Sequence, residues 1–260
     1  MRCARALALA LVCTSCGFNP TRSDTLVDAS IDAPIDAARA TPDVAVDAAP
    51  VPAIVAVQSL DPGFLDASSV AISMTAHVGN LLLVATYATL VGPVEVSDTG
   101  GLSWTSLPTY SNTNVECPEV QIQYWYAEVT TTISTTVTVA QSDADALGLH
   151  VIEYSGVMTA TPIDGQIGLV PTTASSSTTT GPITTAHADA TVAFFADANG
   201  FGTMTPGTGW NQRGLDSGFY TLVTDDAPGA PPGTYTPGGN LPEGKNDDCW
   251  VATAVALRAR

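Results

Sequence analysis

The sequence predicts an all-β protein: an antiparallel two-sheet β-sandwich, jelly-roll-like, that is built from two related halves and preceded by a disordered linker. Three observations support this fold class. From residue 53 onward, short apolar runs are bounded by Gly, Pro, Asn and Asp, which is typical of antiparallel strands and turns. No segment carries the sustained apolar stripe of a helix. Patterns from the first half of this region also recur in the second half.

Residues 1–15 have the features of a secretory signal peptide. Arg2 and Arg5 precede the uncharged apolar run "ALALALV", which ends at small residues. The run is shorter than the roughly 20 residues that a helix needs to cross a bilayer. We therefore expect the leader to be removed after export.

The end of the leader, "VCTSC", resembles the lipobox of bacterial lipoproteins, in which the last cysteine becomes the acylated N-terminus. Thr14 and Ser15 are then the small residues before the cut, and Cys16 is the lipidated residue. Cys13 stands where the family usually has an aliphatic residue, which leaves cleavage before Cys13 or secretion without lipid as alternatives. The resemblance implies stable membrane attachment through acyl chains. Cys16 is followed by Gly17 and not by Asp, and the resemblance therefore favours the outer membrane or the cell surface.

Residues 16–52 are predicted to form a lipid-attached, disordered tether. Aspartates recur mostly every fourth residue among alanines, and prolines interrupt them. Acids at that spacing would repel on one helix face, and proline would break the helix. Few large apolar side chains are present to offset the entropy of ordering. The stretch resembles the Asp-Ala-Pro spacers of other bacterial lipoproteins.

Residues 53–260 are predicted to form the β-sandwich domain. Seven strands are predicted in its first part from short apolar or alternating runs. They are Ala53 to Gln58, Val70 to Ala76, Leu81 to Thr89, Val94 to Val96, Val120 to Glu128, Ser134 to Ala140 and Leu147 to Tyr154.

Four pairs of segments indicate that the domain is duplicated. "TAHVGNLLLVATYA" from Thr75 matches "TAHADATVAFFADA" from Thr185, and "DTGGLSW" matches "TPGTGW". "QIQYWYAEV" matches "GFYTLVTDD", and "ADALGLHVIEYSGV" matches "NDDCWVATAVALRAR". The same order in both places defines halves of about 53–157 and 158–260. The halves form either two small sandwiches in tandem or one sandwich in which they interleave.

The cysteines beyond the leader bear on that choice. Cys117 lies in the first half and Cys249 in the second, an even pair in a chain that is predicted to enter an oxidising compartment. A disulfide between them would hold the two halves in contact, because bridged Cα atoms lie about 4.4–6.8 Å apart. This pairing favours a single two-sheet sandwich.

The pattern of "GNLLLVATYA", "VSDTGGLSWTSL", "QYWYAEV" and "HVIEYSGV" resembles β-sandwich modules that are repeated in bacterial secreted and surface proteins. The likeness consists of turn glycines, core aromatics and alternating strands. It implies a fold and an extracytoplasmic location, and it implies no activity.

The charge balance argues against nucleic acid as a partner. The 260-residue chain has eight Lys and Arg against 25 Asp and Glu, a formal net charge of −17. Binding to nucleic acid depends on cations that displace counterions from phosphates. The same deficit of cations disfavours direct adsorption to anionic lipid.

Acidic loops are the candidate metal sites, because Ca²⁺ prefers clustered carboxylate and carbonyl oxygens. The candidates are Asp143, Asp145, Asp225, Asp226, Asp247 and Asp248. Solvated turn acids are the simpler interpretation. No other metal site and no other cofactor is predicted, since His77, His150 and His187 lack a zinc-ligand spacing.

Catalytic motifs are absent from the sequence: it has no Gly-x-Ser-x-Gly elbow, no His-Glu-x-x-His and no phosphate-binding loop. Trp104 and Trp210 occupy matching positions after glycines, which indicates core packing, and Trp125 and Trp250 lie within strands. An exposed strip of such rings would favour sugar binding. Paired carboxylates about 5 to 9 Å apart would favour a glycosidase.

We therefore expect a lipid-anchored protein of the bacterial cell envelope that displays a non-catalytic β-sandwich in a structural or adhesive role. Its predicted partners are the membrane, through the lipid, and a glycan or a surface protein. A carbohydrate-binding module is the alternative, and a glycosidase-like enzyme with an acidic site is the third possibility.

Overall fold

The structure is a computed structural model, and it describes residues 53–260 except 145, 188, 198–203, 218–220 and 243–247. The predicted signal peptide, Cys16 and the tether lie outside the described residues. The described residues belong to one compact unit. The described part contains twenty strands and no helix, and every ladder is antiparallel, so the predicted fold class is confirmed.

The first half contributes ten strands. They are β1 (Val55–Leu60), β2 (Phe64–Leu65), β3 (Ser69–Ala76), β4 (Leu81–Thr89), β5 (Glu95–Asp98), β6 (Thr105–Ser106), β7 (Tyr110–Asn112), β8 (Val120–Glu128), β9 (Ile133–Ala140) and β10 (Leu147–Ser155). The bounds of β4 and β8 are those predicted, and the bounds of the other five predicted strands lie within two residues of the prediction.

The second half contributes the other ten. They are β11 (Ile163–Leu169), β12 (Ser177–Thr179), β13 (Ile183–Thr185), β14 (Asp189–Asp197), β15 (Thr205–Pro206), β16 (Asn211–Ser217), β17 (Thr221–Ala230), β18 (Gly233–Tyr235), β19 (Gly238–Asn240) and β20 (Trp250–Arg258).

Each half is a small sandwich with a jelly-roll strand order. In the first half, inner sheet 1 has the order β1-β10-β4-β8-β6, and outer sheet 1 has the order β3-β9-β5. The chain alternates between these sheets as it passes from β3 to β4, β5, β8, β9 and β10. The first strand pairs with the last, which is the arrangement of a jelly roll.

The second half repeats this order. Inner sheet 2 is β11-β20-β14-β17-β16, so β11, β20, β14 and β17 occupy the places of β1, β10, β4 and β8. Two short outer sheets, β12-β19-β15 and β13-β18, cover its outer face. The segments that match in the sequence therefore occupy equivalent strands.

The two inner sheets face each other across a central core. Alternate residues of β4, such as Leu81 and Leu83, point into this core, where they meet residues of β14 and β20 such as Phe194 and Val255. The intervening residues, Leu82 and Val84 for example, point to outer sheet 1 instead. All nine residues of β4 and all nine of β14 are buried, because each inner sheet is covered on both faces.

The halves do not interleave within any sheet that the structure describes. The predicted disulfide favoured a single sandwich in which the halves interleave, because the bond requires contact between the halves. Stacking of the two inner sheets brings the halves into contact without interleaving. Both inner sheets are apolar on both faces, so each must be covered twice, and a stack of layers satisfies this requirement.

Candidate functional site

The two halves meet where inner sheets 1 and 2 face each other, and this interface is called the seam. The predicted disulfide joins the two halves and is confirmed. Cys117, in the loop before β8, bonds to Cys249, which directly precedes β20, with a Cα–Cα distance of 5.3 Å. Asn112 strengthens this contact, since its buried side-chain amide donates to the carbonyl of Asp248 at 2.8 Å and to that of Trp250 at 3.2 Å. The seam is therefore fastened at the same end of β20 by a covalent bond and by two hydrogen bonds.

Asp248 is the one calcium candidate that lies beside other potential metal ligands in the described part of the chain. It forms a group with Cys117 and Cys249 whose donor atoms lie within 4.8 Å of one another. Both cysteine sulfurs are held in the disulfide, so neither is available as a thiolate ligand.

Asp226 is part of an ion pair inside the seam. Its carboxylate is fully buried and accepts hydrogen bonds from Arg213 Nε at 2.7 Å, from Tyr154 Oη at 3.1 Å and from Asn211 Nδ2 at 3.3 Å. Its hydrogen bond and charge raise the pKa of Arg213, while burial and then Asp226 raise the pKa of Tyr154 well above its ordinary value. The sequence placed Asp226 in an acidic loop, whereas it lies on β17, pairs with Arg213 of the neighbouring strand β16 and accepts from Tyr154 across the seam.

The other calcium candidates do not meet in the described structure. Asp143 is exposed in the turn before β10. Asp145, Asp247 and the side chain of Asp225 lie outside what the structure describes. Calcium binding at these loops stays a prediction.

A serine that contacts a buried histidine of its own sheet also bonds to the backbone across the seam. Ser59 Oγ on β1 lies 2.7 Å from His150 Nε2 on β10 and donates to the carbonyl oxygen of Arg213 on β16 at 3.0 Å. Burial lowers the pKa of His150 to about 4, so its imidazole is neutral at ordinary pH. The hydroxyl proton is directed to a backbone carbonyl, and this geometry joins the inner sheets rather than preparing a nucleophile.

The repeated Thr-Ala-His segment is capped by a carboxylate in both halves. In the first half, Glu153 on β10 accepts from His77 N–H at 2.7 Å and lies 3.2 Å from His77 Nδ1. Asn80 Nδ2 donates to it at 2.7 Å, and Gln58 is a further donor. Burial would raise the pKa of Glu153, but these hydrogen bonds outweigh burial and lower it.

In the second half, Asp164 at the start of β11 makes the same pair of contacts. It accepts from His187 N–H at 3.1 Å, lies 2.8 Å from His187 Nδ1, and accepts from Ala186 N–H at 2.6 Å. Burial would raise the pKa of Asp164, but hydrogen bonds from Ala186, His187 and Asp189 lower it to about 2. The Thr-Ala-His repeat is thus a turn that binds a carboxylate through the histidine backbone and ring.

Asp189, the first residue of β14, lies against this turn. Its side chain is 1% exposed. Burial, followed by the hydrogen bond to Asp164 and the charge of Asp164, raises the pKa of Asp189 to about 7. The neighbouring charge of Asp164 and the burial of Asp189 therefore both disfavour ionisation of the Asp189 carboxyl group.

The C-terminal residues connect the two capped turns. Arg258 lies 2.6 Å from His187 Nε2 through its guanidinium group. Arg260 donates to the carbonyl oxygens of Val157, at 2.9 Å, and Gly79. The last strand therefore bridges the histidine turn of one half and that of the other.

The tryptophans are packed, as their positions in the sequence indicate. Trp250 is buried, while Trp104 and Trp125 pack against the core of the first half and Trp210 against that of the second. The indole N–H of Trp104 donates to Asp98 at 2.8 Å, and Asp98 also accepts from backbone N–H groups of the "DTGGLSW" turn. No exposed strip of tryptophan rings occurs among the described residues.

Sequence reasoning missed Glu153, Asp164, Asp189, Ser59 and Arg213 as members of these networks. For Glu153 and Asp189 a signal exists, because each is a carboxylate in or at the end of a largely apolar strand. Such a residue is almost never buried without a partner. The identity of that partner could not be read from the sequence.

The chain matches no protein-family model, no curated protein and no solved structure. In the part of the chain that the structure describes, no helix is long and apolar enough to cross a bilayer.

Proposed function

We propose that the protein is a bacterial lipoprotein of the cell envelope, attached through a lipid at Cys16, whose β-sandwich body acts by presenting its surface in a structural or adhesive role. The proposal combines the signal-like leader, the cysteine that follows it and the acidic tether with the structure of the body.

The disulfide that joins the halves is the structural observation that carries this proposal. Cys117 and Cys249 lie at bonding distance, and the bond links two residues that are 132 positions apart in the chain. Disulfides form and persist in oxidising compartments and are rare in the bacterial cytosol. Export through the leader is therefore consistent with the way in which the body is held together.

The ionisable groups of the body support a structural rather than a chemical role. Glu153, Asp98 and Asp226 each accept three or more hydrogen bonds from the chain itself. Each bond fixes a turn or the seam between the halves. The sugar-binding alternative receives no aromatic platform from the described tryptophans, which are packed.

Lipid attachment can be tested by labelling a bacterial host with a clickable palmitate analogue and comparing the native chain with Cys16→Ser. We expect the native chain to carry the label and to enter the detergent phase on phase separation, and Cys16→Ser to do neither. Cys13→Ser is the matched control, because it removes a neighbouring thiol and should remain labelled.

Intact mass of the purified mature chain gives a second, independent readout. It reports the cleavage site, the acyl groups and the disulfide in a single measurement. A native chain that is unlabelled and lacks acyl mass would overturn the lipid anchor, and labelling lost in Cys13→Ser but kept in Cys16→Ser would overturn the assignment of Cys16.

A further inference from the structure

The sheet edges of this protein are protected in different ways, with one exception. An edge strand exposes unpaired N–H and C=O groups, and natural proteins shield such edges with bulges, short strands, charges or proline. Among the described strands, β1, β11 and β16 each contain a β-bulge. The edge strand β5 has four residues, two of them Glu95 and Asp98. The edges formed by β2, β6, β7, β12, β13, β15 and β18 are two or three residues long.

The exception is β3, the free edge of outer sheet 1. It is eight residues long and pairs with β9 in an unbroken register from Ser69 opposite Ala140 to Ala76 opposite Ile133. Its sequence, "SVAISMTA", contains no charged residue, no proline and no glycine. No device that normally blocks edge pairing is present in this strand.

The backbone groups that face the open side can be identified. The carbonyl oxygen of Ser68 accepts from Gln141 N–H at 3.0 Å, which places the backbone groups of residue 68 on the β9 side. Backbone direction alternates along a strand, so the groups of Ser69, Ala71, Ser73 and Thr75 point to the free edge. The side chain of Gln58 reaches the carbonyl oxygen of Thr75 from that side, at 2.6 Å.

The same four residues are exposed on the outer face of the sheet, and all have small, uncharged side chains. The chain as a whole carries a formal net charge of −17, so two copies repel each other overall. The four exposed residues of β3 carry no charge and therefore add nothing to that repulsion. A second copy of this acidic chain can therefore approach here at a lower electrostatic cost than at the acid-bearing edge β5.

We propose that the free edge of β3 pairs with β3 of a second copy of the chain and joins two outer sheets into one continuous antiparallel sheet. In the register centred on Ile72, Ser69 faces Thr75 and Ala71 faces Ser73 of the second copy, so that all four outward-facing residues take part. This register offers about eight intermolecular backbone hydrogen bonds, two for each pair of facing residues. In two of them the Thr75 carbonyl oxygen shares its acceptor capacity with the bond from Gln58. It also places only small or uncharged side chains opposite each other.

Sedimentation equilibrium of residues 17–260, from low micromolar to near-millimolar concentration, tests the proposal. We expect a reversible monomer–dimer equilibrium for the unlipidated native sequence. Ser73→Pro removes an outward N–H without removing a bond to β9, and we expect it to weaken dimerisation by at least about tenfold. Ser73→Ala is the matched control, because it removes the hydroxyl, keeps the N–H and should dimerise like the native sequence.

A second variant keeps the result decisive if Ser73→Pro disturbs folding. Ala71→Glu adds an exposed acid near its symmetry mate, and we expect it to be monomeric while its near-ultraviolet circular dichroism remains native. A native chain that is monomeric throughout the concentration range overturns the proposal. A dimer that neither Ser73→Pro nor Ala71→Glu weakens overturns it as well, because the contact then lies elsewhere.

Discussion

Removal of the disulfide between the halves should have a large and calculable effect on stability. Cys117 and Cys249 close a loop of 132 residues, for which the chain-entropy relation gives about 5 kcal/mol of stabilisation at 25 °C. That value is comparable to the lower end of the total stability of natural domains, about 5–15 kcal/mol. We expect the double variant Cys117→Ser, Cys249→Ser to fold, since the central core between the inner sheets does not depend on the bond. Its free energy of unfolding should fall by about 3–5 kcal/mol.

Guanidinium denaturation followed by tryptophan fluorescence measures this loss. The dependence of the unfolding free energy on denaturant should become steeper in the double variant, because the unfolded chain is no longer held compact by the cross-link. The matched control is the native chain under reducing conditions, which should coincide with the double variant. A loss below about 1 kcal/mol, or two thiols that react with iodoacetamide in the folded, oxidised protein, would refute the reasoning.

The central core and the buried ionisable groups lead to three more expected outcomes. Phe194 lies in the core with its ring centroid 5.8 Å from that of Tyr124, so Phe194→Ala should lower the free energy of unfolding by about 3–5 kcal/mol; a loss near zero would contradict face-to-face packing of the inner sheets. His150 has a folded pKa of about 4, below its ordinary 6.5, so the stability it contributes is complete above pH 6.5 and lost as the pH falls towards 4. His150→Gln should flatten that part of the pH profile of thermal unfolding. Asp189 has a folded pKa of about 7, above its ordinary 3.8, so stability should fall as the pH rises between these values. Asp189→Asn should remove that decline, and an unchanged profile would show that the pKa of Asp189 is not raised in the folded protein.

The sequence by itself predicted the seven longer strands of the first half, because the information that makes a strand is local. Leucine and valine runs bounded by turn residues were enough to predict β4 and β8 to the residue. Segment matches such as the two Thr-Ala-His turns were enough to predict a duplicated domain, and the count of cysteines was enough to pair Cys117 with Cys249. The leader and the residues around Cys16 carry the predictions about the membrane, and these remain predictions.

Contacts between distant residues were decided only by the tertiary structure. Two identical Thr-Ala-His turns are capped by different carboxylates, Glu153 from the last strand of one half and Asp164 from the first strand of the other. Nothing in the turn itself specifies which strand supplies the acid. Asp226 looks like a solvated loop acid in the sequence. The pairing of β16 with β17 places it beside Arg213, and the stacking of the inner sheets places it beside Tyr154.

The stacking itself was also beyond the sequence. The apolar sequence of a strand such as β14 predicts that the strand is buried, but it does not predict which elements cover its two faces. That choice depends on packing between whole sheets, since each inner sheet must exclude water from both sides. The local pattern of side chains therefore determines which segments become strands, and the shared burial of the two inner sheets determines where the seam and its disulfide lie.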